Sequence, residues 1–191
     1  NPSIGGPAKG QIVGEIDALG GEMGRAADAT FLQLKVLNRS RGPAVQCLRA
    51  QSDKVAYAAH MQHVINTNTH IEVISEEVDN LLIEDNRIRG IRSKLGHTYH
   101  ASAVVITAGT FLKAIMHTGL TQSVGGRVDE KSCESLSESL GTHLKLGRLK
   151  TGTPPRIDGR SINYSLLEEQ PGDLTPAPVF SFMGNAEMHP R

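Results

Sequence analysis

A chain of 191 residues has room for one ordinary core and the beginning of a second. Lys plus Arg and Asp plus Glu stand at 20 each, so overall charge cannot hold the chain on a polyanion and any phosphate binding must be local. With aromatic residues at 4% and no Trp, a broad platform for stacking single-stranded bases is excluded, and the core must be packed from Leu, Ile, Val and Ala.

Charge is segregated along the sequence. Lys35, Arg39, Arg41, Arg49 and Lys54 stand against Asp53 in one stretch. Lys145, Arg148, Lys150, Arg156 and Arg160 stand against Asp158 in another, with an acidic run from Glu72 to Asp85 between them. Cys47 and Cys133 are too few and too far apart for a disulfide framework or a zinc site, which suits a reducing compartment. No apolar run approaches the roughly 20 residues of a membrane span and no secretory leader is visible, so a soluble, cytoplasmic protein is expected. The sequence opens on Asn1 and not on Met, as a trimmed or processed chain would.

In chain order, NPSIGGPAKG (1–10) reads as an irregular loop whose backbone can approach a ligand. Ile12, Val13, Ile16, Leu19 and Met23 recur at helical spacing, with Gly20-Gly21 weakening or ending that helix. Leu32, Leu34 and Val36 alternate with Gln33 and Lys35 as in a half-buried strand, and an Arg-rich Gly-Pro loop follows. A second helix is expected from about Ala50 to Asn66. Short strands come next: His70 to Ser75, then Val78 to Ile83, a turn at Asp85-Asn86, a return through Ile88 and Ile91, and a turn at Gly96-His97 into Thr98 to His100. This spacing predicts an antiparallel meander. AVVITA (103–108), a continuous apolar run, is expected to be a strand buried on both faces within a parallel sheet. Ser132 to Gly141 reads as a short helix and His143 to Lys150 as a strand, after which the prolines imply extended connections.

The expected buried strand ends in Ala108-Gly109-Thr110. In open α/β sheets ligands dock at the carboxyl ends of strands, where Gly109 leaves backbone bare and Thr110 offers a hydroxyl and an N–H. A helix, a meander and then such a strand follow the order of the second half of a flavoprotein dinucleotide domain, in which Val78 would place its main chain beside adenine. The G-x-G-x-x-G turn that would open the first half does not occur in the sequence. His60 and His63 have no third ligand partner, so no metal is expected. No Ser-His-Asp or paired-carboxylate arrangement nominates a catalytic residue, and Cys47 reads as a small buried residue.

Three strings carry more information. NPSIGGPAKG with DALGG, LNRSRGPAV with RAQ-x-D-K, and GRLKTGTPPRID with VFSFMGN resemble, in this order and spacing, the GidA/MnmG family of flavin-dependent tRNA modifying enzymes. The resemblance covers nearly the whole chain. It implies an α/β fold with part of a glutathione-reductase-like FAD domain over 1–157 and an extended segment over 158–191 leading into an inserted domain. It implies FAD, NADH as reductant, a folate one-carbon donor, tRNA as substrate, a partner GTPase and a homodimer of the full-length protein, without membrane attachment. The reaction implied adds an aminomethyl-type group at C5 of the wobble uridine. By position, Val78, Ala108, Gly109 and Thr110 would line the FAD site. Asn1, Gly5, Gly6 and Lys9 belong to the loop that would face the flavin ring, and Gly125-Gly126-Arg127, Arg148, Lys150 and Arg156 would stand at the tRNA entrance. After Gly-Gly-Arg the family has Gly-Asp and a Ser that helps hold FAD, whereas here VDEKSC puts Cys133 in that place. Without the phosphate-gripping turn, this stretch is expected to hold FAD weakly or not at all and to be inactive alone. Two alternatives stand beside this reading: the related folate-dependent tRNA uridine methylating flavoprotein, and a non-catalytic module that binds tRNA or protein.

Overall fold

The computed structural model describes residues 2–155, 157–173 and 178–184. The chain forms two compact units, one from Asn1–Glu72 with Gly152–Arg191 and the other from Val73–Thr151. These units change over at 72/73 and 151/152, whereas the sequence suggested a functional boundary after residue 157.

In the first unit, strands β1 (Ser3–Gly5), β2 (Phe31–Leu37) and β3 (Cys47–Ser52) form an antiparallel sheet in the order β1-β3-β2. Helices α1 (Lys9–Ala18), α2 (Met23–Thr30) and α3 (Lys54–Thr67) accompany it. The expected stop at Gly20-Gly21 is a Schellman turn: Gly21 donates to the Ile16 carbonyl at 2.9 Å and Gly20 to that of Asp17 at 2.8 Å, with Gly20 at a φ of 87°. The second long helix starts later than expected because Asp53 caps it, its Oδ1 accepting the Val55 and Ala56 amides. Residues 50–52 thereby stay in β3. Val13, Ala27, Leu34, Ala50 and Phe180 make the core, with Ile4, Phe31 and Leu48 packed against them. Residues 3–5 and 47–49, expected as loop, and 50–52, expected as the start of a helix, are strands because Ser3, Ile4 and Gly5 pair with Gln51, Ala50 and Arg49.

In the second unit, β4 (Val78–Glu84), β5 (Arg87–Ser93) and β6 (Thr98–His100) form the expected meander. Its first turn has Asp85 at φ 49° and Asn86 at φ 58°, the double left-handed bend of a two-residue hairpin. A hairpin of β7 (Ile115–Thr118) and β8 (Thr121–Val124) follows, which sequence periodicity did not reveal, and then α4 (Ser135–Gly141).

Three expected strands do not form. Residues 71–77 and 145–150 adopt no regular structure, and neither do residues 103–108. The last is the important correction. Val105 is 85% exposed, and among the described residues no hydrogen bond involves residues 102–107. A strand buried on both faces requires ladder partners on both edges, and here AVVITA has neither. The expected parallel sheet is likewise not seen: the named strands pair antiparallel, and the parallel pairing among the described residues is the single bridge Leu112 to Cys133. No helix among the described residues is long and apolar enough to cross a membrane.

Candidate functional site

In the second unit the bend at Gly109 organises the site. Its φ is 58°, and a side chain built there would meet no atom within 4 Å, so the peptide groups are bare and open. Behind the bend, the Phe111 amide donates to the Ala108 carbonyl at 3.2 Å and the Thr110 hydroxyl to the Gly126 carbonyl at 3.2 Å. Residues 111–114 run beside 132–133. The Cys133 amide donates to the Phe111 carbonyl at 2.8 Å, and the Lys113 amide to the Cys133 carbonyl at 2.9 Å. The Ala114 amide adds a bond to Ser132 Oγ at 2.7 Å. This ladder delivers Cys133 to Val78, whose carbonyl oxygen lies 3.7 Å from Sγ. The residues expected to line a cofactor thus belong to one hydrogen-bonded assembly.

Phe111 is the floor under the Gly-Gly-Arg turn. A Cβ on Gly126 would lie 2.1 Å from its ring, so only glycine lets the chain cross there. The Arg127 guanidinium sits over the same ring, 5.5 Å from its centroid, and reaches Glu130 at 3.6 Å. Arg148 donates to the Lys113 carbonyl at 2.7 Å, which holds one side of its fork and leaves the rest exposed. Lys150 is exposed, and Arg156 lies outside the described residues.

Three carboxylates of the acidic run, Glu76, Glu77 and Asp79, are met within the meander. Glu76 accepts from His97 Nδ1 and the Tyr99 hydroxyl, each at 2.9 Å, Glu77 pairs with Lys94, and Asp79 pairs with Arg92 at 3.1 Å. The Ser93 hydroxyl and then the His97 ring hold the Glu76 carboxyl below its ordinary range, while Ser135 and then Arg92 do the same for Asp79. Arg127, Arg148 and Lys150 are therefore not consumed by these carboxylates.

In the first unit, Gly5 and Gly6 have φ of 82° and 91°, and the Gly6 amide donates to the Leu48 carbonyl at 2.8 Å. Lys9 opens α1 and is exposed; Asn1 lies outside the described residues. Two buried acids, which the sequence reading missed, hold the Phe-Ser-Phe-Met segment. Asp28 accepts the Phe180 amide at 2.7 Å and the Ser181 amide at 2.9 Å. Asp17 accepts the Ser181 hydroxyl at 2.6 Å and the Phe182 amide at 2.7 Å. The signal in the sequence was slight: Asp17 has no cation three or four residues away on its helix, whereas Asp28 has Arg25 three residues before it. A groove of about 560 Å3 beside this segment is bordered by Gly10, Gly14, Glu15, Cys47, Leu48 and Phe182. Cys47 is buried, as expected. No group of three or more His, Cys, Asp or Glu able to hold a metal occurs among the described residues.

Comparison with known proteins decides the family. The model of the family described as glucose inhibited division protein A matches residues 1–191. The chain belongs to the GidA family. Structures of Aquifex aeolicus GidA in crystal forms I and II are similar to it, each at 46% identity and a TM-score of 0.87. The matches cover 96% of this chain but 31% and 30% of the Aquifex chains, so it spans about a third of the GidA proteins it resembles. The three strings quoted from the sequence thus belong to a GidA chain, and the mixed helix-and-sheet fold agrees with that family.

Proposed function

We propose that this chain is part of an FAD-dependent tRNA-modifying enzyme that adds an aminomethyl-type group at C5 of the wobble uridine. NADH would reduce the flavin, a folate would supply one carbon, and a partner GTPase would act with a dimer of the full-length protein. The observation that carries the reading is the convergence of Val78, Gly109, Thr110 and Cys133 on one assembly in a GidA-family chain. FAD, when bound, supplies the hydride chemistry. The chain's residues fit it because Gly109 leaves open backbone with no atom within 4 Å of its Cβ position, and Cys133 Sγ lies 3.7 Å from the Val78 carbonyl oxygen. Arg127 and Arg148 offer planar forks to RNA phosphates and Lys150 a point charge, with Arg156 added from the family pattern. With no Gly-rich phosphate turn in its sequence, the 191-residue chain alone is expected to retain FAD weakly.

The test uses the full-length protein. Purified protein should carry flavin absorbance, and with NADH, folate donor and partner GTPase it should convert the wobble uridine of undermodified tRNA, read by nucleoside mass spectrometry. Gly109→Val should lower the flavin content. Protein that binds no flavin and leaves the nucleoside unchanged defeats the proposal.

A further inference from the structure

The outer face of the β1-β3-β2 sheet carries two cations side by side that form no ion pair among the described residues. Lys35 on β2 stands directly opposite Arg49 on β3. Like charges in direct cross-strand register repel, and such pairs are avoided unless something anionic lies between them. Neither residue makes an ion pair among the described residues, and neither does Arg41 in the loop that joins the two strands. Asp173, in the segment beside β2, turns Oδ2 to the Val36 amide and to Arg39, at 2.7 Å each. Lys35 makes a long contact of 3.4 Å to Gln170 Oε1 and adds the smallest of the pulls that Asp173 feels, behind the Val36 amide and Arg39.

Two further features mark the spot. Arg49 Nε is shielded from solvent and has no acceptor among the described residues, so this donor is open to a partner. On its other side Arg49 is in register with Gly5, which brings no charge to it. The neighbouring row on the same face is Ser3, Gln51 and Gln33, neutral hydrogen-bonding groups with no acid among them.

We infer that Lys35 and Arg49 form a two-cation clamp for a phosphodiester of the RNA substrate. The inference rests on the tRNA reading above and adds to it a contact surface on the first unit. A guanidinium edge and an ammonium on opposed strands match the tetrahedral array of phosphate oxygens, and the flanking amides and hydroxyl suit the adjacent sugar.

The experiment follows binding of an anticodon stem-loop RNA to the full-length protein by fluorescence anisotropy over a salt series. Arg49→Gln and Lys35→Gln should each weaken binding to unrelated RNA sequences alike and reduce the slope of log affinity against log salt by about one. Arg49→Lys should keep the wild-type slope, and flavin content and melting temperature should stay unchanged in Lys35→Gln. Should Arg49→Gln misfold, Lys35→Gln still decides the matter. Wild-type slope and affinity in the Gln variants would overturn the clamp and leave the tRNA reading intact, whereas wild-type protein that binds no RNA would overturn both.

Discussion

Asp28 ties the chain to itself across 152 residues through one side chain. A carboxylate with no exposure is tolerable only if its oxygens are met by donors, and here the Phe180 and Ser181 amides do so. Asp28→Ala leaves both amides buried without acceptors, a loss on the order of 3 kcal/mol. Exchange of those two amide protons should then quicken by roughly a hundredfold; unchanged exchange would refute the clamp. The paired glycines give a second prediction at this scale. A Cβ on Gly5 would lie 2.4 Å from the Leu48 carbonyl oxygen and 2.7 Å from the Phe180 ring, whereas one on Gly6 would meet nothing within 4 Å. Both have positive φ, so Gly6→Ala should cost about 1 kcal/mol from backbone strain alone. Gly5→Ala must add displacement of β3 and should lower the urea midpoint clearly more. Equal midpoints would contradict the packing described.

Among the elements, the segment 170–173 covers the free edge of β2. The Asp173 amide donates to the Leu34 carbonyl at 2.8 Å while its carboxylate accepts the Val36 amide. That amide, and then Arg39, hold the Asp173 carboxyl below its ordinary value of 3.8. A folded-state pKa below the unfolded one means the contribution is complete above the unfolded value and lost as pH falls through the folded one. Asp173→Asn should therefore weaken protection of the Val36 amide near neutral pH and make no difference once the wild-type carboxyl is protonated. An equal effect at both ends of the titration would exclude the ionised contact.

Which elements the sequence discloses follows from how local their causes are. The stop of α1 is written in two glycines and the β4–β5 hairpin in Asp85-Asn86, and both were legible. β1 and β3 depend on Ser3 meeting Gln51 across the intervening chain, which no local pattern announces. Met23 continues the helical spacing of Ile12 to Leu19 in the sequence but opens α2, since Gly20-Gly21 ends the first helix. Of the proposed site, the choice of Val78, Gly109 and Cys133 was legible only as what the family resemblance implies. The Phe111 floor, the Asp17 and Asp28 clamp and the Lys35–Arg49 pair were not, because each depends on register or packing between distant residues.

At the scale of the whole molecule, the unpaired run from Ala103 to Ile106 is the least reconciled feature. Its side chains are those of a buried strand, Val105 is 85% exposed, and the described residues offer its peptide groups no partner. An apolar, uncharged segment rich in β-branched residues and without ladder partners is a template for pairing with another chain. The isolated 191-residue chain should therefore self-associate with rising concentration in sedimentation runs. Val105→Lys places a charge on this segment without touching the core of either unit, so it should shift the distribution toward monomer and leave the circular dichroism spectrum unchanged. Amide exchange gives the internal control: residues 103–107 should exchange rapidly in dilute solution and gain protection on association, while Leu81, paired with Ile91 in the meander, stays protected throughout. A chain that remains monomeric at high concentration, with 103–107 unprotected, would show that exposure of this run is harmless and that its apolar character serves another purpose.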